Sequence, residues 1–215
     1  AAFAPYGLPT TAIKPSYGIA EATLFVSTIA PTAEPTVVHL DRMQLAEGRA
    51  VRTAADAKDA LPQVSCGQVA RSQWAVIVDP DSHAEVADGR VGEIWLHGDN
   101  VARRYWARPE ESRQTFDATL RSRLAAGSHA DGAPGAAAWM RTGDLGAYLD
   151  GELYVTGRRA DLVVVDGHQH YPHDIENTVA EASAMVRRGY VAAFTVRDDD
   201  LVVIAERASG TRRAD

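Results

Sequence analysis

Short apolar runs of strand length alternate with turn-forming residues along this chain, which predicts a strand-rich mixed α/β fold. Asp88-Gly89 and Asp150-Gly151 are turn signals between such runs. Ala22–Thr28 is apolar and β-branched, and its pattern does not separate a buried strand from a short helix. The predicted strands are Ala12–Lys14, Trp74–Val78, Val91–Leu96, Trp139–Thr142, Leu145–Leu149, Glu152–Thr156, Leu162–Val165, Tyr190–Val196 and Leu201–Glu206.

Two segments carry helix signals. Pro109–Leu124 has proline in its first turn and Glu110 and Glu111 near its positive end, both favourable at a helix start. Pro172–Arg188 is amphipathic and is the second predicted helix. Its shared apolar face consists of Ile175, Val179, Ala182 and Val186.

The pattern also divides the chain into regions. Residues 29–73 are dominated by Pro, Ala, Asp and Arg, and only Val37–Leu40 is strand-like there. A connection of this length inside a compact domain is usually functional or partly disordered. The predicted β-α-β-β run after Gly157 indicates a separate unit. We therefore predict one domain over residues 1–157 and a second over 158–215, joined near Arg158–Ala160.

Composition narrows the class of protein. The 215 residues are 46% hydrophobic, enough to bury a core, and a net charge of −7 argues against a nucleic-acid-binding surface. The single cysteine, Cys66, excludes an internal disulfide and fits a reducing compartment. No apolar run reaches membrane-spanning length and no secretory start is visible, so we predict a cytoplasmic protein. Because the chain starts at Ala1 rather than methionine, we interpret it as an internal part of a longer protein.

The first cluster with chemical potential is Ser16-Tyr17-Gly18-Ile19-Ala20-Glu21, which combines an aromatic ring, a tight turn and a carboxylate. Such a combination can stack a base and hold a hard cation beside phosphate oxygens. A core tyrosine beside a solvated glutamate explains the same six residues, so the cluster alone does not decide between the two interpretations.

Two further clusters have the same ambiguity. In Arg141-Thr142-Gly143-Asp144-Leu145-Gly146, the glycine-flanked aspartate can accept hydrogen bonds from two vicinal ribose hydroxyls, or it can satisfy its own turn backbone. In Gly157-Arg158-Arg159, an arginine at the junction of two units can reach a phosphate or ribose with its planar fork. The alternative for Arg158 is an interdomain salt bridge.

Taken together, in this order and spacing, the three clusters resemble the adenylate-forming superfamily. The resemblance extends through Gly92–Gly98 and Tyr105-Trp106 and covers nearly the whole chain. Within the superfamily, Ser16–Thr28 and His170–Glu176 are similar to the fatty acyl-AMP ligases. Lys14–Gly18 is most similar to the members that serve mycolic acid synthesis.

The resemblance implies a fold and a set of site residues. The chain would comprise the C-terminal part of the large AMP-binding domain and the start of the small C-terminal α+β domain. Glu21 would help to hold Mg²⁺ at the phosphates of ATP, and Arg158 would contact the ribose and α-phosphate, which makes these two the predicted catalytic residues. Tyr17 would pack along adenine and Asp144 would bind the ribose hydroxyls. The predicted lining of the AMP pocket is completed by Ser16, Gly18 and Ala20.

The implied activity is conversion of a long-chain fatty acid and ATP to acyl-AMP, followed by transfer to an acyl carrier domain of a polyketide synthase. Residues 29–73 lie where fatty acyl-AMP ligases carry an insertion. Two departures from the family pattern are Ala160 at the hinge and Arg104 in place of a glycine. The glycine-rich phosphate loop and the C-terminal lysine of the family are not in this chain. Two alternatives therefore stay open: an acyl-CoA synthetase, and a non-catalytic nucleotide-binding or interaction domain.

Overall fold

The computed structural model describes residues 3–71, 73–165, 168–196 and 200–209. The chain divides into two compact units, residues 1–156 and 157–215. The helices are α1 (Arg42–Ala46), α2 (Pro109–Phe116) and α3 (Pro172–Ala182). The strands are β1 (Ser16–Tyr17), β2 (Ser27–Thr28), β3 (Val37–Asp41), β4 (Ala60–Val64), β5 (Gln68–Val69), β6 (Gln73–Val78), β7 (Gly92–Gly98), β8 (Met140–Leu149), β9 (Glu152–Arg158), β10 (Val163–Val165), β11 (His168–His170), β12 (Val186–Val196) and β13 (Asp200–Arg207).

The main sheet of the first unit has the strand order β6-β7-β8-β9. Strands β6 and β7 are antiparallel and are buried on both faces. One face packs Ala75, Ile77 and Ile94 into one core cluster, and the other face packs Val76 and Trp95 into a second. A sheet covered on both sides needs nearly continuous apolar strands. This requirement is why these two strands were readable from the sequence.

A bulge interrupts the pairing of β7 with β8. Glu93 lies opposite Leu145 and Trp95 lies opposite Arg141, so that residues 142–144 face only the single residue between Glu93 and Trp95. Bulges bend a strand and redirect its side chains. This bulge, over residues 141–145, is named the Glu93 bulge below, and it carries Asp144.

Residues 29–73 contain more regular structure than their composition predicts. Strands β3 and β4 form an antiparallel pair, and Asp41 caps α1 by accepting a hydrogen bond from the Gln44 backbone N–H at 2.9 Å. Leu40, Leu45 and Leu61 are buried. Strand structure in this segment is therefore not confined to Val37–Leu40, because apolar residues far apart in sequence meet in the β3–β4 pair.

Other element boundaries also differ from expectation. Ala12–Lys14 is not a strand: a 3₁₀ turn covers Thr10–Ala12, and the strand is β1. The segment Ala22–Thr28 begins at the last residue of a 3₁₀ turn, and only its final two residues form a strand, β2. The helix starting at Pro109 ends at Phe116, because Ala118 instead pairs with Trp139 in an isolated bridge.

The second unit contains two antiparallel strand pairs, β10–β11 and β12–β13, with α3 between them in sequence. The predicted helix Pro172–Arg188 ends at Ala182, and Val186 begins β12. The side chain of Glu176 in α3 accepts a hydrogen bond from the Ala193 N–H at 3.1 Å, which ties the helix to β12.

The mixed α/β fold class is confirmed, with most predicted strands shifted by only one to four residues at their ends. Within the described parts of the chain, no helix combines the length and apolar composition needed to cross a bilayer. The assignment of residues 1–157 and 158–215 to two domains remains a prediction.

Candidate functional site

Two of the sequence clusters meet at one hydrogen bond. The Tyr17 hydroxyl donates to Asp144 Oδ2 at 2.6 Å, across 127 residues of sequence. Both residues are largely buried, with 9% of Tyr17 and 8% of Asp144 exposed. Strand β1 delivers the tyrosine and the Glu93 bulge delivers the aspartate. A hydrogen bond of this length to a carboxylate is of the strong, charge-assisted kind, so it fixes the two side chains relative to each other.

An ion pair between buried Glu93 and half-buried Arg141 holds the Glu93 bulge. Glu93 is only 2% exposed and accepts hydrogen bonds from Arg141 Nη2 at 2.7 Å and Arg141 Nε at 3.1 Å. Its other oxygen accepts from the Gly143 N–H at 3.1 Å. The Arg141 guanidinium also lies over the Trp95 ring, 5.6 Å from its centroid. A buried carboxylate requires such compensation, because desolvation of a charge costs several kcal/mol unless the charge is paired.

The backbone beside Asp144 is fixed from a second direction. Thr142 Oγ1 donates to the Ile94 carbonyl at 2.7 Å and accepts from the Asp144 N–H at 3.0 Å. Gly143 has φ +73°, in the left-handed region where a side chain is strained. The glycine before Asp144 is therefore required by the backbone conformation of the bulge.

Gly18 permits a close backbone approach directly after Tyr17. A Cβ atom at this position would lie 1.6 Å from the Leu24 carbonyl oxygen, so no side chain fits there. The Val26 N–H donates to the Tyr17 carbonyl at 3.0 Å and closes the loop. Ser16 and Ala20 are exposed beside it. The turn thus presents small, exposed residues around a buried tyrosine.

Two amide side chains donate hydrogen bonds to backbone carbonyls of this loop. Asn100 Nδ2 donates to the Ala22 carbonyl at 2.8 Å, and Gln73 Nε2 donates to the Val26 carbonyl at 2.9 Å. The two amides also bond to each other at 2.9 Å. The loop that carries the predicted adenine-binding residues is consequently tied to the end of strand β6.

Glu21 lies in the 3₁₀ turn Ala20–Ala22 and pairs with a residue of another loop. The Tyr105 hydroxyl donates to Glu21 Oε1 at 2.7 Å, and its ring packs edge-on against Phe116 at 5.0 Å between centroids. Burial, followed by the hydrogen bond to Glu21, raises the pKa of Tyr105 to about 12. The tyrosine is therefore a permanent donor at neutral pH, and it orients the carboxylate.

The fit of Glu21 to Mg²⁺ follows from its donor type. In the described residues, no group of three or more His, Cys, Asp or Glu side chains is arranged for a metal ion. Mg²⁺ is typically held by one or two carboxylates together with substrate phosphates. One oriented carboxylate fits that arrangement, in which the nucleotide supplies the remaining charged ligands.

The last predicted site residue is Arg158. It is the exposed final residue of β9 and belongs to the second unit. Its predicted contact with ribose and α-phosphate stays a prediction, as do the individual roles of Ser16, Tyr17, Gly18, Ala20, Glu21 and Asp144.

Three residues of the site region had no predicted role: Glu93, Arg141 and Tyr105. A signal for Glu93 was available, since a charged residue inside an otherwise apolar strand is rarely buried without a partner. Arg141, next to the glycine-flanked aspartate, is the natural counter-ion. The contact between Tyr105 and Glu21 had no comparable signal, because it joins two loops 84 residues apart.

Comparisons with known proteins agree on one family. Residues 3–106 match the family model described as AMP-binding enzyme. The chain is 48% identical over 235 residues to the long-chain-fatty-acid–AMP ligase FadD32 of Mycobacterium marinum, covering 99% of this chain and 37% of that protein. It is 46% identical to the 4-hydroxyphenylalkanoate adenylyltransferase of the same organism, covering 96% of this chain and 32% of that protein.

A solved structure gives the same result. The fatty acyl-adenylate ligase of L. pneumophila, in complex with acyl adenylate and pyrophosphate, superposes with a TM-score of 0.65 at 33% sequence identity. The match covers 96% of this chain and 34% of that one. The chain thus spans about a third of the length of the proteins it is similar to.

Proposed function

Since the chain belongs to the family of AMP-binding enzymes, we propose that the protein containing it activates a long-chain fatty acid with ATP. The products are an acyl-AMP and pyrophosphate. The single observation that carries the proposal is the 2.6 Å hydrogen bond between Tyr17 and Asp144, which joins two of the three nucleotide-type clusters. The names of the similar proteins support the choice of a carboxylic acid as the group that is activated.

In this reaction a fatty carboxylate oxygen attacks the α-phosphorus of ATP, and the bond between that phosphorus and the pyrophosphate oxygen breaks. The protein contributes mainly by positioning and by electrostatic stabilisation. Asp144 accepts hydrogen bonds from the ribose hydroxyls, while Tyr17 holds that carboxylate and lies along the adenine. Ser16, Gly18 and Ala20 leave room for the nucleotide.

The phosphates are assigned to the two predicted catalytic residues. Glu21, oriented by Tyr105, would hold Mg²⁺, and Arg158 would contact the ribose and the α-phosphate. Mg²⁺, when bound, neutralises negative charge on the phosphate oxygens. Arg158 supplies a fixed positive fork to the same group.

The phosphopantetheine thiol of an acyl carrier domain of a polyketide synthase then attacks the acyl carbon of acyl-AMP. A thioester forms, the bond from the acyl carbon to the phosphate oxygen breaks, and AMP and the thiol proton leave. This step belongs to lipid synthesis of the mycolic acid type. We assign residues 29–73 to the insertion that biases a two-domain hinge near Ala160 toward the adenylating arrangement. The β3–β4 hairpin and its buried leucines support this assignment, since a segment with its own core can act as a stiff element. We place the enzyme in the cytoplasm.

ATP–pyrophosphate exchange in the full-length protein tests the proposal. Exchange that depends on a long-chain fatty acid is the expected result. Efficient formation of a CoA thioester would instead indicate an acyl-CoA synthetase. Nucleotide binding without exchange for any carboxylic acid would indicate a non-catalytic domain. 4-Hydroxyphenylalkanoate belongs in the same assay as a competing acid, because one similar protein is named for it.

A further inference from the structure

Glu93 is the most deeply buried carboxylate of the first unit among the described residues, and no role in nucleotide binding has been given to it so far. We propose that Glu93 is a positioning residue, which sets nucleotide affinity by holding the Glu93 bulge and thereby Asp144. The inference rests on the proposed role of Asp144 in the ribose contact. It adds a residue that does not itself touch the nucleotide.

The contacts of Glu93 support this role. One carboxylate oxygen binds the Gly143 N–H, the residue directly before Asp144, at 3.1 Å. The other binds the Arg141 guanidinium at 2.7 Å, at the opposite side of the bulge. Glu93 therefore ties two positions of the bulge, Arg141 and Gly143, to strand β7, and acts together with the hydrogen bonds of Thr142.

The backbone conformation makes this restraint necessary. Gly143 has φ +73°, and its flexibility gives the bulge many accessible conformations in the absence of a tether. The Glu93–Gly143 hydrogen bond selects one of them. A ribose-binding carboxylate must be held within about 0.5 Å of its productive position to be fully effective. Loss of the tether is thus expected to weaken binding even though the carboxylate of Asp144 remains.

A matched control exists in the same unit. Glu85 is also buried, at 6% exposure, and also accepts backbone hydrogen bonds from a loop, from Leu124 N–H at 2.9 Å and His129 N–H at 2.7 Å. Ser128 Oγ donates to it at 2.6 Å. Residues 122–131, named the Glu85 loop below, do not carry a predicted site residue. Replacement of Glu85 thus removes backbone hydrogen bonds of the same kind, but it does not change the position of a predicted site residue.

The test is AMP binding to the full-length protein, measured by calorimetry for the wild type and a set of variants. Glu93→Ala is expected to weaken AMP binding by about 10-fold or more, and Glu93→Gln, which keeps the acceptor oxygen for Gly143, by less than about 3-fold. Glu85→Ala is expected to leave AMP affinity unchanged. In a Glu93→Ala/Asp144→Ala double variant, affinity should equal that of Asp144→Ala alone, because Glu93 acts through Asp144.

Several outcomes overturn the inference: full AMP affinity in Glu93→Ala, an equal loss in Glu85→Ala, or additive losses in the double variant. If Glu93→Ala does not fold, Arg141→Lys gives the answer instead, with a smaller loss expected and unchanged affinity counting against the role. Wild-type protein that binds AMP without fatty-acid-dependent exchange would reject the proposed activity and leave the inference standing. Wild-type protein that does not bind AMP would reject both.

Discussion

The Glu93 bulge and the Glu85 loop use the same device for different ends. In each, a buried glutamate accepts backbone hydrogen bonds and holds an irregular segment against the sheet. The charge of Glu93 is compensated by Arg141, whereas Glu85 is compensated by neutral donors. The Glu93 bulge carries Asp144, bonded to Tyr17.

The segment held by Glu85 ends in an aromatic contact instead. His129 stacks on Tyr148 at 3.6 Å between ring centroids and bonds to Asp88 Oδ1 at 2.8 Å. A buried acid thus marks a segment whose conformation is costly to change, but it does not mark function. The side chain that the segment presents decides the function.

The largest expected effect concerns stability and should be shared by both regions. Glu85→Ala leaves two partly buried backbone N–H groups and the buried Ser128 hydroxyl without their acceptor, and hydrogen bonds to a charged group are worth about 1.5–3 kcal/mol each. We expect the free energy of unfolding to fall by about 3 kcal/mol or more, measured by urea denaturation. Glu93→Ala should cause a comparable fall. A much smaller loss in either variant would mean that the two carboxylates are not equivalent restraints.

The next largest effect concerns nucleotide affinity, which should fall for a change in the Glu93 bulge and not for a change beside the Glu85 loop. Asp144→Ala removes a charged acceptor from the proposed ribose contact and should weaken nucleotide binding by about 1.5–3 kcal/mol. Asp88→Ala removes a half-exposed carboxylate beside the Glu85 loop and should leave binding unchanged. Titration calorimetry with AMP measures both. Equal affinities for Asp144→Ala and the wild type would make Asp144 a turn residue only.

The smallest effect is a dependence of stability on alkaline pH. The pKa of Tyr105 is raised to about 12, while an unfolded tyrosine ionises near 10. Between these values the unfolded chain releases a proton that the folded chain keeps, so the stabilisation is complete below pH 10 and is lost as the pH rises toward 12. The stability difference between the wild type and Tyr105→Phe should therefore be constant up to about pH 9 and decline above pH 10. A pH-independent difference would mean that Tyr105 ionises normally.

Tyr148, which stacks on His129 of the Glu85 loop, provides a comparison for the titration of Tyr105. Burial, together with the nearby charges of Asp88 and Glu85, raises the pKa of Tyr148 above its ordinary value. Its hydroxyl donates to the Ala75 carbonyl at 2.9 Å. Tyr148→Phe should reduce the alkaline loss of stability in the same direction, with no effect on AMP binding.

The sequence predicted the parts of this fold that depend on local patterns. Strands β6 and β7 appear as apolar runs because they are covered on both faces, and the Asp150-Gly151 hairpin follows from turn chemistry. The β3–β4 pair and the end of α2 at Phe116 were missed. Each depends on pairing between distant residues, for which local periodicity carries no signal.

The candidate site divides in the same way. Tyr17 and Asp144 were selected by their motifs. Their mutual hydrogen bond joins positions 127 residues apart, so it depends on the tertiary structure. The roles of Glu93 and Arg141 required the register of β7 with β8. That register contains a bulge, which a sequence pattern of alternating side chains does not reveal.

The bulge also has an evolutionary consequence. It adds two residues to β8 relative to β7. Because two is an even number, the alternation of β8 side chains between the two faces of the sheet keeps the same phase on both sides of the bulge. Deletion of one residue there would invert the orientation of every side chain beyond it. Deletion of two residues, Asp144 among them, would restore a regular ladder. A single deletion of this kind is therefore expected to remove the proposed ribose contact and to keep the fold.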